Sequence, residues 1–278
     1  MVKLLLSFLL LVSLINAQEL DSVNPLQEKI LNFIGEDKYE KNKEYIEILF
    51  TPESQFYHNN SVDVVQVMQT LVQNQLFSSK LPFKRELKVS LKTEGSPILF
   101  VKLMKDSLRN LGYYRYSTLS SDYDGNEFVW SIGFQSSRIP DIVKIQEQLS
   151  KVGSYVVDIE KISMDEWSYK VDISRGLVES IKVYSGKNIL LKHSLDPYWI
   201  DIKSVKKMII KSSRRNSWHP QVAIFDTNLK LLKMIKQDKR TKTIAVQLPV
   251  GSAYMSLSDI YTMKNIKDSL TLYPKRAR

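Results

Sequence analysis

The sequence predicts a mixed α+β protein with a helical N-terminal region, a ferredoxin-like middle domain and a C-terminal antiparallel β-sandwich. Three observations carry that expectation. Amphipathic helical stripes fill residues 18–83, a strand–helix–strand pattern is stated twice within 84–176, and short apolar runs separated by turn residues fill 177–278. The composition agrees: of 278 residues 43% are hydrophobic and 25% charged, with 9 Gly and 9 Pro, which excludes collagenous and largely disordered chains.

The first element is an address. In residues 1–17, Lys3 supplies a positive start, and Leu4 to Ile15 is apolar apart from Ser7 and Ser13. Asn16-Ala17 then places a small residue before Gln18, the pattern of a secretory signal peptide. The apolar run is about a dozen residues, short of the ~20 that a spanning helix needs; an uncleaved anchor is the alternative. No later segment is apolar for long enough to span a membrane. The chain has no cysteine and 3 histidines, so it offers no disulfide, no thiol nucleophile, no lipidated Cys after the cleavage point and no cysteine ligand for zinc. An exported chain of this kind depends on hydrophobic cores. Its richness in Lys, Ile and Asn suggests a bacterial source, and the periplasm is the expected compartment.

In the helical region, Asn24-Pro25 combines an N-cap with a proline suited to the first helical position. Leu26, Ile30, Phe33 and Ile34 follow at helical spacing, and Gly35 closes the helix. A second helix is expected from Tyr39 to Phe50, before Pro52. A third is capped by Ser61, with Asp63 in its first turn and Val64, Val65, Met68, Leu71 and Val72 along one face. Lys80 to Phe83 reads as a linker.

The middle of the chain repeats itself with a period of 41 residues. Leu87, Val89 and Leu91 alternate; Val101, Met104, Leu108 and Leu111 line a helix; Gly112 closes it; Tyr114, Tyr116 and Thr118 follow. In the second copy Phe128, Trp130 and Ile132 alternate, Ile142, Ile145, Leu149 and Val152 line a helix, and Gly153 precedes Tyr155, Val157 and Ile159. A turn across Asp124-Gly125 joins the copies, giving βαβ–βαβ with both helices on one face of the sheet. A further strand through Trp167, Tyr169, Val171 and Ile173 is expected to extend the sheet. Alternation then assigns Lys88, Ser90, Arg115, Ser117, Ser131 and Lys170 to the opposite, open face. Such a face could hydrogen-bond sugar hydroxyls and acidic peptides; a merely solvated face is the alternative.

The helix exit Leu108-Arg109-Asn110-Leu111-Gly112-Tyr113, the turn Ile132-Gly133-Phe134-Gln135-Ser136 and the exit Leu149-Ser150-Lys151-Val152-Gly153 together resemble the SPOR domain of bacterial cell-envelope proteins. The resemblance covers about residues 85–161. It implies binding of peptidoglycan glycan strands on the open sheet face. The first strand lacks the family's Gly-Ser-Phe-type turn, and the central hairpin is longer than the family's.

The C-terminal region concentrates the charge. The chain carries 40 basic and 30 acidic residues, a net +10. Residues 201–242 alone hold twelve basic and three acidic side chains. Lys206, Lys207, Lys211, Arg214, Arg215, Lys239 and Arg240 form a candidate surface for an anionic envelope polymer or an acidic envelope protein. Export argues against nucleic acid, and a purely solvating lysine surface is the alternative. Trp199 and Trp218 are candidates for stacking on sugar rings, against the commoner role of core packing. Residues 230–236 read as either a short helix or a strand.

Chemistry-bearing motifs are missing. There is no Gly-x-Ser-x-Gly elbow, no His-Glu-x-x-His helix and no P-loop, and His58, His193 and His219 are dispersed. The segment Asp122 to Glu127 lacks the alternating ligands of a calcium loop and reads as a turn. No metal, cofactor or catalytic residue is expected. The leading expectation is a non-catalytic periplasmic protein that binds peptidoglycan or another anionic glycan. The second is a protein–protein adaptor in an envelope or motility assembly, and the third a periplasmic glycan hydrolase.

Overall fold

The computed structural model describes residues 24–276; the signal-peptide assignment therefore lies outside the described residues. The protein is mixed α+β, with sheets outweighing helices, and falls into two compact units, Met1–Ser78 and Ser79–Arg278.

In the first unit, helix α1 (Pro25–Ile34) starts where Asn24 Oδ1 accepts the Leu26 N–H at 3.0 Å, and it ends at Gly35. The expected second helix is split into α2 (Glu36–Lys41) and α3 (Lys43–Leu49), with Asn42 between them. A 3-10 turn (Glu53–Phe56) and a two-residue hairpin, β1 (Tyr57–His58) with β2 (Ser61–Val62), lead into α4 (Val64–Gln73). The cap of α4 is Asp63, not Ser61: its carboxylate accepts the Gln66 N–H at 2.9 Å, while Ser61 is held in the hairpin. Leu26, Ile30, Phe33, Val64, Val67, Met68 and Leu71 are buried, whereas Val72, expected inside, is exposed.

The second unit opens with β3 (Lys80–Thr93), so the segment read as a linker is the start of a strand. Then come α5 (Pro97–Asn110), β4 (Ser117–Tyr123), β5 (Phe128–Arg138), α6 (Ile142–Ser150), β6 (Tyr155–Lys161) and β7 (Glu166–Asp172). The two copies of the repeat are both present as strand, helix, strand. Leu87, Val89 and Leu91 on β3 and Phe128, Trp130 and Ile132 on β5 are buried, as are Leu103, Met104 and Leu108 of α5 and Ile145 and Leu149 of α6. The two helices pack against each other. The sheet order is β4-β5-β3-β7-β6. The fifth strand therefore does not extend the sheet at its edge. It enters between β3, to which it is parallel, and β6, to which it is antiparallel. The physical reason is burial: Trp167, Tyr169 and Val171 are each 1% exposed, a load that a central strand can cover and an edge strand cannot.

Nine strands follow: β8 (Ile181–Lys182), β9 (Ile189–Leu191), β10 (Tyr198–Asp201), β11 (Lys207–Ser212), β12 (Pro220–Phe225), β13 (Leu231–Lys236), β14 (Thr243–Gln247), β15 (Tyr254–Asp259) and β16 (Leu270–Lys275). They form a five-stranded sheet, β13-β12-β15-β10-β8, and a four-stranded sheet, β14-β11-β16-β9. All pairs are antiparallel except β8 with β10, and residues 231–236 are strand, not helix. Both sheets feed one core, in which Ile200, Met208, Ile210, Val222, Ile224, Met255, Leu257 and Leu272 are fully buried. Alternation turns Trp199, Phe225 and Tyr254 to the other face of the five-stranded sheet, the side on which α5 lies. There the Trp199 ring stacks on Phe225 at 5.5 Å and the Lys102 ammonium sits 5.0 Å above Trp199. Ser96 Oγ donates to Asn228 O at 2.7 Å, and Arg109 meets Asp196 at 3.1 Å.

Candidate functional site

The clearest site lies in the loops at one end of the C-terminal sheets. Here residues 213–216 follow β11, and residues 237–242 join β13 to β14. Two cations of the second loop hold the first in shape. Arg240 donates through Nε to Asn216 O and through Nη2 to Arg214 O, each at 3.0 Å. Lys242 Nζ donates to the carbonyls of Ser213, Arg214 and Asn216 at 3.2, 2.9 and 3.2 Å. Asn216, fully buried, anchors the loop from beneath by donating to Ser269 O at 2.9 Å and accepting the Asp268 N–H at 2.8 Å.

The carbonyl clamp leaves the side chains of Arg214, Arg215 and Lys239 exposed beside Arg240 and Lys242. Among the described residues none of these five forms an ion pair. Desolvation and then the neighbouring Arg240 and Arg214 guanidinium groups push the Lys242 ammonium below its ordinary pKa. Like charges are thus held together with none of them in an ion pair among the described residues. Asp238 lies in the second loop, and Asp268 accepts from Ser213 Oγ at 2.6 Å; an anion placed among the cations relieves their repulsion.

The remaining candidates are placed differently. Lys206 and Lys207 are exposed at the start of β11, about 17 Å of strand from its far end, so the expected basic patch is two patches. Lys211 lies with its ammonium 5.0 Å from the Tyr273 ring centroid. On the sheet face expected to be open, Lys88 pairs with Glu166 at 2.7 Å, and Lys170 pairs with Glu94 at 2.6 Å and Glu127 at 3.3 Å. The hydrogen bond to Glu94 leads the interactions that raise the Lys170 pKa. Ser90 and Ser131 are buried and bonded to each other at 3.0 Å. Their hydroxyls are therefore satisfied without a ligand, which corrects their assignment as sugar-contacting groups. Arg115 is exposed in the turn before β4.

Both tryptophans are engaged within the protein. Trp218 is 0% exposed and donates through Nε1 to Ser258 O at 2.9 Å, so it is a core residue. Trp199 is half-buried, with its ring stacked on Phe225 and the Lys102 ammonium over it. Burial of Trp218 corrects its stacking assignment, because a sugar ring needs an uncovered aromatic face.

A cleft between α5, α6 and the five-stranded sheet carries three carboxylates that sequence reasoning did not single out, Asp106, Glu179 and Asp201. Asp106 is committed to Lys102 and Arg109, and Asp201 lies 3.9 Å from Lys203. That is not the apolar setting in which a carboxyl serves as proton donor to a glycosidic oxygen. Among the described residues no three or more His, Cys, Asp or Glu side chains are grouped to hold a metal ion, and no helix is long and apolar enough to cross a membrane.

No protein-family model matches the chain, and no curated protein matches it. Among solved structures it is similar to one described as the crystal structure of accessory secretory protein 1, 2 and 3 in Streptococcus pneumoniae. Identity there is 18%, the match covers 34% of this chain and 74% of that chain, and the TM-score is 0.19. A likeness of that size carries no functional argument.

Proposed function

We propose that this is a non-catalytic protein of the bacterial periplasm that binds peptidoglycan or another anionic envelope glycan through the loops at residues 213–216 and 237–242. One observation carries the reading: Arg214, Arg215, Lys239, Arg240 and Lys242 are gathered by the carbonyl clamp and lack ion-pair partners among the described residues. The signal-like residues 1–17 supply the compartment, and the resemblance of about residues 85–161 to SPOR domains supplies the ligand class. In this reading residues 80–172 are a ferredoxin-like unit with an added central strand, and 181–275 a β-sandwich that presents the cationic loops.

Sedimentation of the purified protein with peptidoglycan sacculi tests the reading. Exposed charges are screened over a Debye length of ~8 Å at physiological salt, so retention should fall steeply as salt rises. The triple variant Arg214→Glu, Arg215→Glu, Lys239→Glu should lose retention at all salt concentrations while melting as the wild type does, since exposed charges contribute little to stability. The double variant Lys206→Glu, Lys207→Glu, altered at the opposite end of β11, should lose less. Retention indifferent to salt and to the triple variant rules the reading out.

A further inference from the structure

A cleft of about 390 Å³ lies where α5 and α6 meet the edge of the five-stranded sheet, at the lower end of the range that small-molecule sites occupy. It lies at the Tyr254 end of β15, whereas the cationic loops gather near the Asp259 end, roughly 17 Å of strand away. Leu103, Val152, Leu177 and Tyr254 give it an apolar lining.

Its walls are fixed in advance of any ligand. The Leu177 N–H donates to Val152 O at 2.8 Å, fastening the segment after β7 to the exit of α6. Gly153 has a φ of +71°, and a Cβ there would stand 2.6 Å from Arg175 O. A Cβ on Gly176 would stand 2.9 Å from Leu103 Cδ1. At Gly153 the exit of α6 therefore meets the segment at a distance and in a conformation that favour glycine, while Leu103 of α5 packs closely on Gly176.

The charges lining the cleft fall into two sets. Asp106 is neutralised by Lys102 and Arg109, and Asp201 lies against Lys203. Lys151, Lys182 and Glu179 line the same cleft and have no side-chain partner among the described residues. They come from different walls, Lys151 from the end of α6 and Glu179 and Lys182 from the segment leading into β8. Two lysines and one glutamate that are not paired elsewhere thus line a partly apolar cleft. We propose that this cleft binds a short acidic peptide with free termini. Its carboxylates meet Lys151 and Lys182, its ammonium group meets Glu179, and its aliphatic portion lies on Leu177 and Val152. Each contact is a charge-assisted hydrogen bond.

The probe is the dipeptide alanyl-glutamate with both termini free, which carries two carboxylates and one ammonium group. Titration into the purified protein, followed by calorimetry and by amide chemical shifts, should show saturable binding with shifts confined to residues 103–110, 148–152, 177–182, 201–203 and 254. The same dipeptide acetylated at its amine and amidated at its α-carboxyl should bind at least about tenfold more weakly. Lys151→Gln and Lys182→Gln should each weaken the free dipeptide about tenfold, the worth of one charge-assisted contact. Both substitutions are at exposed side chains, so retention on sacculi, which belongs to the cationic loops, should persist in both variants. Equal affinity for the blocked dipeptide, shifts outside the cleft, unchanged affinity in the variants or no saturation would each overturn the proposal.

Discussion

Asp259 shows how a single buried side chain organises the loop end of the C-terminal sheets. Its carboxylate accepts the N–H groups of His219, Tyr261 and Thr262 and the Asn265 side-chain amide, at 2.7 to 3.1 Å. Burial pushes this carboxyl up, but those four hydrogen bonds together outweigh it and hold the group below the ordinary carboxylate pKa. A carboxyl whose folded pKa is depressed stabilises the fold above its unfolded value of about 3.9, and that stability is lost as pH falls through the folded pKa. Asp259→Asn should therefore be destabilised at neutral pH by about 1–3 kcal/mol, and the difference from wild type should shrink as pH falls below the ordinary carboxylate value of about 3.9. Urea unfolding at several pH values reads this directly, and a pH-independent difference would contradict it. Trp218→Ala, which empties a fully buried site, should cost about 3–5 kcal/mol by the same measurement. At this scale the sequence was partly legible. The apolar character of Trp218 was visible, but its burial depends on Ser258, forty residues away, which no local pattern discloses. Arg240 was legible as a charge, but not as a clamp on the carbonyls of Arg214 and Asn216.

At the scale of elements, periodicity was informative and neighbour relations were not. The 41-residue repeat identified two helices and four strands, and the buried faces of β3, β5 and the helices are local properties of the chain. By contrast, β4 is exposed throughout and starts after Tyr114 and Tyr116, and Tyr155 and Val157 of β6 are exposed. Where β7 goes was not legible, since Trp167, Tyr169 and Val171 would read alike at an edge or in the centre. Strand position has a measurable consequence. Amide hydrogens on β3, β5 and β7 should exchange more slowly than those of β4 and β6, because the edges each lack one neighbouring strand. Slow exchange along β4, whose residues are all exposed, would mean that something covers that edge. The glycine contacts behind the cleft belong here too. Gly153→Ala places a Cβ against the Arg175 carbonyl in a left-handed conformation, and should lower stability by about 1–3 kcal/mol. Thermal melting of that variant checks it.

For the whole molecule, sequence reading set a boundary near residue 83 and another near 176. The structure divides into compact units between Ser78 and Ser79. The region after 176 stays within the second unit because Lys102, Ser96 and Arg109 engage Trp199, Asn228 and Asp196. Residues 79–276 expressed alone should accordingly melt as one cooperative transition, and two well-separated transitions in calorimetry would contradict that unity. The strand order also bears on how the chain is made. The two repeat copies are complete at Lys161, yet the place beside β3 belongs to β7, whose last residue is Asp172. A ribosome delivers β6 first, while β3 awaits a later partner. The order of synthesis and the order in space disagree there, as they do where β5 lies between β3 and β4. A chain halted after Lys161 has every strand of its internal duplication and still has no finished sheet.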